Sequence, residues 1–134
     1  MRVALVSVGV LLVLCSAPSA EDRPTGVHGF AKRMFAGIGA EERACRPEVM
    51  REIEAREMTA LCASFNGSFA RFELRWDLEL HQKEAARAEP DSEPIVQPLT
   101  DWESNGSRHE RIYRVEQKAV GVRYEGGGEL LLVW

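Results

Sequence analysis

The sequence is poor in the residues and motifs from which active sites are commonly assembled. Its three histidines, His28, His81 and His109, are far apart, and HERIY from His109 lacks the second histidine that a zinc-protease helix carries. There is no GxSxG nucleophile motif and no glycine-rich loop opening a helix to cradle phosphate. GGG at Gly126 lies between strand-like segments, where a turn explains it. Acid pairs such as Glu54 and Glu57 could exchange protons usefully only inside a cleft, and on a short helix they are expected to be exposed. No catalytic residue, metal site or cofactor is therefore assigned.

Positive charge is also lacking. The 134 residues carry a net charge of −4, a poor balance for a nucleic-acid partner. Internal repeats are absent, and so is any apolar run beyond the N-terminal one that approaches the roughly 20 residues needed to span a bilayer. Eight strands of about ten residues do not fit beside a helix and an 18-residue polar connection in the 114 residues after Ala20, so an outer-membrane barrel is not expected.

The first 20 residues, MRVALVSVGVLLVLCSAPSA, contain a basic Arg2, an apolar stretch from Val3 to Leu14 and small residues up to Ala20. That is the layout of a secretory signal peptide, with cleavage expected after Ala20 or after Ala17. A lipoprotein signal would want a small residue before Cys15, where Leu14 stands. Residues 21–134 then form one small domain, secreted or periplasmic, with no stable membrane span. Loss of Arg2 leaves 16 basic against 21 acidic residues, a net charge of −5.

Two cysteines remain in the exported chain, and in an oxidising compartment Cys45 and Cys62 are expected to form a disulfide. RPEVMREIEARE reads as a helix, with Pro47 in its first turn and Glu52 four residues before Arg56. Were that helix to continue through Cys62, the cysteines would stand about 25 Å apart, whereas a bridge needs Cα atoms within about 7 Å. The helix must end near Glu57 and the chain return as a strand, MTALCASF.

NG at Asn66 and Gly67 then predicts a hairpin turn, followed by a second strand. In RFELRWDLEL, Phe72, Leu74, Trp76, Leu78 and Leu80 alternate without a miss against charged residues, which predicts a half-buried strand with Leu61 opposite Phe72. The same NGS, and another at Asn105, are formal glycosylation acceptors in a secreted eukaryotic chain.

A Pro-rich polar connection is expected near residues 81–98. Three strands follow, RHERIYRVE, AVGVRYE and ELLLVW, separated by Gln117 and Lys118 and by Gly126 to Gly128. The last strand, apolar on both faces, should be interior or covered by a helix. Near the N-terminus, Phe30, Met34 and Ile38 stand four apart and predict a helix packed on the sheet.

QKAVGVRY, residues 117–124, resembles the QxVxG segment of cystatins, with Ala119 in place of the motif's Val. The stretch from Ala119 to Trp134 is similar to the C-terminal part of periplasmic lysozyme inhibitors of the MliC type, with Val120 where that family has Ser and without its Lys-Gly after the last strand. Neither match assigns the chain to a family. Both resemblances imply a hairpin that enters the cleft of a hydrolase.

Together these readings predict an α+β domain, one or two N-terminal helices packed on an antiparallel meander of four to six strands. The function expected is binding: a small secreted or periplasmic protein, acting as an inhibitor of a protease or lysozyme through Gln117, Lys118, Ala119, Val120 and Gly121. The alternatives are a structural or assembly factor of the cell envelope, working through the Pro-rich connection, and a small secreted enzyme.

Overall fold

The computed structural model describes residues 26–87 and 93–134. The expected signal segment, residues 1–20, and part of the Pro-rich connection, residues 88–92, lie outside them.

Helix α1 (Gly26–Ile38) buries Val27, Phe30, Ala31, Met34, Phe35 and Ile38, the apolar stripe expected of it. A short strand β1 (Glu41–Arg43) leads to α2 (Pro47–Ala55). That helix stops early: the Arg56 and Met58 N–H groups both donate to the Ile53 carbonyl, and Glu57 takes a left-handed φ of 56°. The chain then returns as β2 (Ala60–Ser64), and the Cys45–Cys62 disulfide closes with Cα atoms 5.2 Å apart.

The expectation for the next segment is overturned. RFELRWDLEL is part of an 18-residue helix, α3 (Phe69–Ala86), and Asn66-Gly67 leads into that helix instead of turning a hairpin. Ser68 caps it, its side chain accepting from the Arg71 N–H at 3.3 Å. Phe72 and Trp76, one turn apart, are fully buried, and Phe69 and Leu80 pack partly against the same core. Leu74 and Leu78, which the alternation places with them, are left exposed. The segment holds no Val, Ile or Thr and is rich in Leu, Glu, Arg and Ala, so intrinsic propensity and the cap outweigh the two-residue pattern. Leu61 consequently lies opposite Leu132, not Phe72.

The remaining strands are β3 (Val96–Pro98), β4 (Glu103–Asn105), β5 (Arg108–Val115), β6 (Lys118–Glu125) and β7 (Glu129–Val133). All pairings are antiparallel, in the order β1-β2-β7-β6-β5-β3, with β4 also on β5. The α+β class therefore holds, and among the described residues three-residue strands raise the expected four to six strands to seven. The Pro-rich connection is shorter than residues 81–98, because α3 runs to Ala86 and β3 begins at Val96. Among the described residues, no helix is long and apolar enough to cross a membrane.

One face of the sheet, carrying Tyr113, Val115, Val120, Val122, Tyr124, Leu130 and Leu132, forms the core with α1 and α3. On the other face α2 is tied down by the disulfide and by Glu52, whose carboxylate lies 3.7 Å from Arg123. Ile53, Cys62 and Leu131 are buried there, outside the main core. The apolar ending is thus an interior strand sandwiched between helices. Trp134 exchanges backbone hydrogen bonds with Thr59, at 2.8 and 2.9 Å.

Candidate functional site

The β5–β6 turn is a two-residue loop, Glu116 and Gln117, because Val115 pairs with Lys118. This is one residue earlier than the turn expected at Gln117 and Lys118. Glu116 takes a left-handed φ of 57°, and both its backbone and its side chain are used. Its N–H donates to the Ile95 carbonyl at 2.9 Å, and its Oε2 accepts from the Ile95 N–H at 3.0 Å. The tip is therefore clamped to the segment leading into β3.

The five residues expected to bind divide by their distance from the turn. Gln117, Lys118 and Ala119 are exposed. Val120 is fully buried in the core, so its side chain holds the hairpin and does not reach outward. Gly121 is half-buried and lies between Ile112 and Val133; a Cβ there would stand 3.1 Å from Val133 Cγ1. Of the five, the hairpin consequently leaves Gln117, Lys118 and Ala119 exposed.

Beside the tip, a cleft of about 450 Å³ opens between the C-terminal half of α3 and the edge of the sheet. Asp77, His81, Lys83, Glu84 and Arg87 line one wall, residues 94–98 the other, and Tyr113 contributes from β5. Burial raises the Asp77 carboxyl above its ordinary value of 3.8, with the Arg111 guanidinium opposing the shift. Burial likewise raises the Tyr113 hydroxyl above 10.0, again opposed by Arg111. The cleft thus holds an acid that retains its proton more readily than a solvated carboxylate, with a histidine one helical turn away. A strand reading of RFELRWDLEL hides it: on a strand Asp77 and His81 would share a face but stand about 13 Å apart, whereas α3 brings them to adjacent turns of one helix.

A smaller cavity of about 190 Å³ lies on the α2 side of the sheet near the disulfide. Its arginines are matched by acids: Arg46 with Glu129 at 3.1 Å, Arg43 with Glu41 at 3.7 Å, and Arg123 with Glu110 at 2.9 Å. Ser104 Oγ and His109 Nδ1 stand 2.6 Å apart, but the ring is stacked on Phe69 with centroids 3.8 Å apart, and neither residue lines the cleft. His28 lies near Trp134 on the other side of the core. Among the described residues, no group of three or more His, Cys, Asp or Glu is placed to hold a metal ion. Asn66 and Asn105 are both exposed.

The chain matches no protein-family model, no curated protein and no solved structure.

Proposed function

We propose that this chain is a small exported binding protein that inhibits a secreted hydrolase, a protease or a lysozyme, through the β5–β6 tip. The observation that carries the reading is the clamp between Glu116 and Ile95, two hydrogen bonds that hold the turn while Gln117, Lys118 and Ala119 remain exposed. A tip fixed before encounter loses little conformational entropy on binding, which favours insertion into a cleft. The disulfide fits an oxidising compartment, where the inhibitor would meet its target. Measuring the residual activity of secreted cysteine proteases and lysozymes after incubation with the purified chain tests this. Inhibition that is lost on joint Gln117→Ala and Lys118→Ala replacement supports the reading. Absence of inhibition across the panel, or inhibition indifferent to the tip, contradicts it.

One observation favours a second reading, that of a small secreted enzyme: Asp77, His81 and Tyr113 line the same cleft. On this reading Asp77 donates a proton to a bound substrate, and hydrolytic activity disappears in Asp77→Asn with the fold intact.

A further inference from the structure

The sheet ends on β3, and among the described residues nothing pairs with its outer side. The alternation of its hydrogen bonds fixes what that side offers. The Glu116 N–H donates to the Ile95 carbonyl at 2.9 Å, and the Leu99 N–H donates to the Ile112 carbonyl at 2.8 Å, so Ile95 and Leu99 both face β5. In an antiparallel ladder every second residue exchanges bonds with its partner, so Gln97 also faces β5, opposite Arg114. Val96 and Pro98, opposite Val115 and Tyr113, therefore turn their backbone groups outward. The edge presents one donor, the Val96 N–H, and two acceptors, the Val96 and Pro98 carbonyls. None of the three has a partner among the described residues.

This edge forms one wall of the cleft of about 450 Å³, and the C-terminal half of α3 forms the other. From Asp77 to Arg87 the helix wall is about 15 Å long, room for about four extended residues. Leu80, Val96 and Tyr113 give the cleft an apolar lining. Two prolines decide what kind of strand the edge accepts. A second copy of β3, paired antiparallel about Val96, would set Pro94 against Pro98, and neither has an N–H to give. Only the Val96 groups would bond, and each Pro98 carbonyl would stay unpaired. A strand with an N–H at that position satisfies all three groups. The edge is thus closed to its own copy, as edge strands commonly are, and remains open to a different strand.

From this arrangement we infer that β3 and α3 form a peptide-binding groove, which takes an extended segment of a partner protein as an added antiparallel strand on β3. Main-chain hydrogen bonds hold the segment, and alternate side chains give specificity. Directly opposite residues share a face, so the side chain set against Val96 points as Val96 does, toward the core and α3. The lining of Leu80 and Tyr113 requires that side chain to be apolar. Gln117 and Lys118 do not line the cleft, and the inference rests on neither functional reading above.

Capped peptides of the form Lys-Thr-Thr-Val-Thr-Thr-Lys, with Val, Leu or Phe at the centre, test it by titration into the purified, isotope-labelled chain followed by NMR. At least one should bind with a Kd below about 1 mM. In the complex, solvent exchange of the Val96 amide should slow at least about tenfold, while that of Gln97, already bonded to β5, should change less than about twofold. N-methylation of the central peptide residue removes the donor to the Val96 carbonyl and should weaken binding at least about tenfold. N-methylation of the residue before it, whose N–H points away from β3, should cost less than about threefold. Failure of all three peptides to bind, binding that leaves Val96 exchange unchanged, or equal tolerance of the two N-methylations overturns the inference.

Discussion

Trp76 is completely buried, whereas Leu74, two residues earlier on α3, is 69 % exposed. On a strand these residues would share a face; on a helix they point about 200° apart. Trp76→Ala should therefore cost about 3 to 5 kcal/mol, and Leu74→Ala should stay within about 0.5 kcal/mol. Chemical denaturation of the two variants checks this. Similar losses at both positions would restore the strand.

The disulfide fixes α2 over Cys62 and Leu131. It closes a loop of 17 residues, and replacing both cysteines by alanine should cost about 3 kcal/mol. Peptide mapping without reductant should recover Cys45 and Cys62 in one cross-linked fragment. Hydrogen exchange in the double variant should accelerate in α2 before it does in α3, since α3 keeps its core contacts.

Two adjacent glycines in the β6–β7 turn make a controlled comparison. Gly127 and Gly128 both have positive φ, 91° and 88°. A Cβ at Gly127 meets open space, whereas one at Gly128 would overlap the backbone of Phe65, whose N–H donates to the Gly128 carbonyl. Gly127→Ala should cost about 1 to 2 kcal/mol from backbone strain alone. Gly128→Ala should cost more than about 3 kcal/mol, because the β2 end must also move. Thermal melting distinguishes them.

Asp77 gives a pH-dependent test. Burial raises its carboxyl in the folded state above the ordinary 3.8, so the fold favours the protonated form. That contribution is present at pH below the ordinary value and is lost as pH rises through the raised one. Asp77→Asn, which cannot ionise, should melt higher than the wild type at neutral pH, and the difference should shrink on acidification. An Asp77→Asn variant that melts lower than the wild type at neutral pH would mean that Arg111 outweighs burial.

Local chemistry carried much of the fold. Helix α1 announced itself through Phe30, Met34 and Ile38, and the early end of α2 followed from requiring Cys45 to reach Cys62. The C-terminal hairpins followed from alternation between turn residues. The two NG pairs show the limit of such signals. Asn105 pairs with Arg108 across a two-residue turn in which Gly106 has a φ of 65°, whereas Asn66-Gly67 precedes the Ser68 cap of a helix. What differs is the following segment, and there a regular alternation concealed strong helix formers.

Long-range neighbours were not legible. That β7 lies between β2 and β6 depends on tertiary packing, and the register Leu61 to Leu132 joins residues 71 positions apart. The tip was legible as a turn within one residue, because strands on both sides define it. Its clamp to Ile95 was not, since that contact requires β3 to return along β5. The cleft was hidden for a further reason: it exists only because α3 is a helix whose last turns overhang residues 94–98.

The central claim is that the exposed end of the β5–β6 hairpin is the part that binds. The most direct measurement is a parallel capture from the secreted or periplasmic fraction, using the wild type and the Gln117→Ala, Lys118→Ala variant, with quantitative mass spectrometry of both eluates and melting curves of both proteins. The account predicts a hydrolase enriched at least about tenfold by the wild type over the variant, a loss of about 1.4 kcal/mol or more in binding, with melting temperatures essentially equal. Equal recovery of the same partner by both proteins would contradict it.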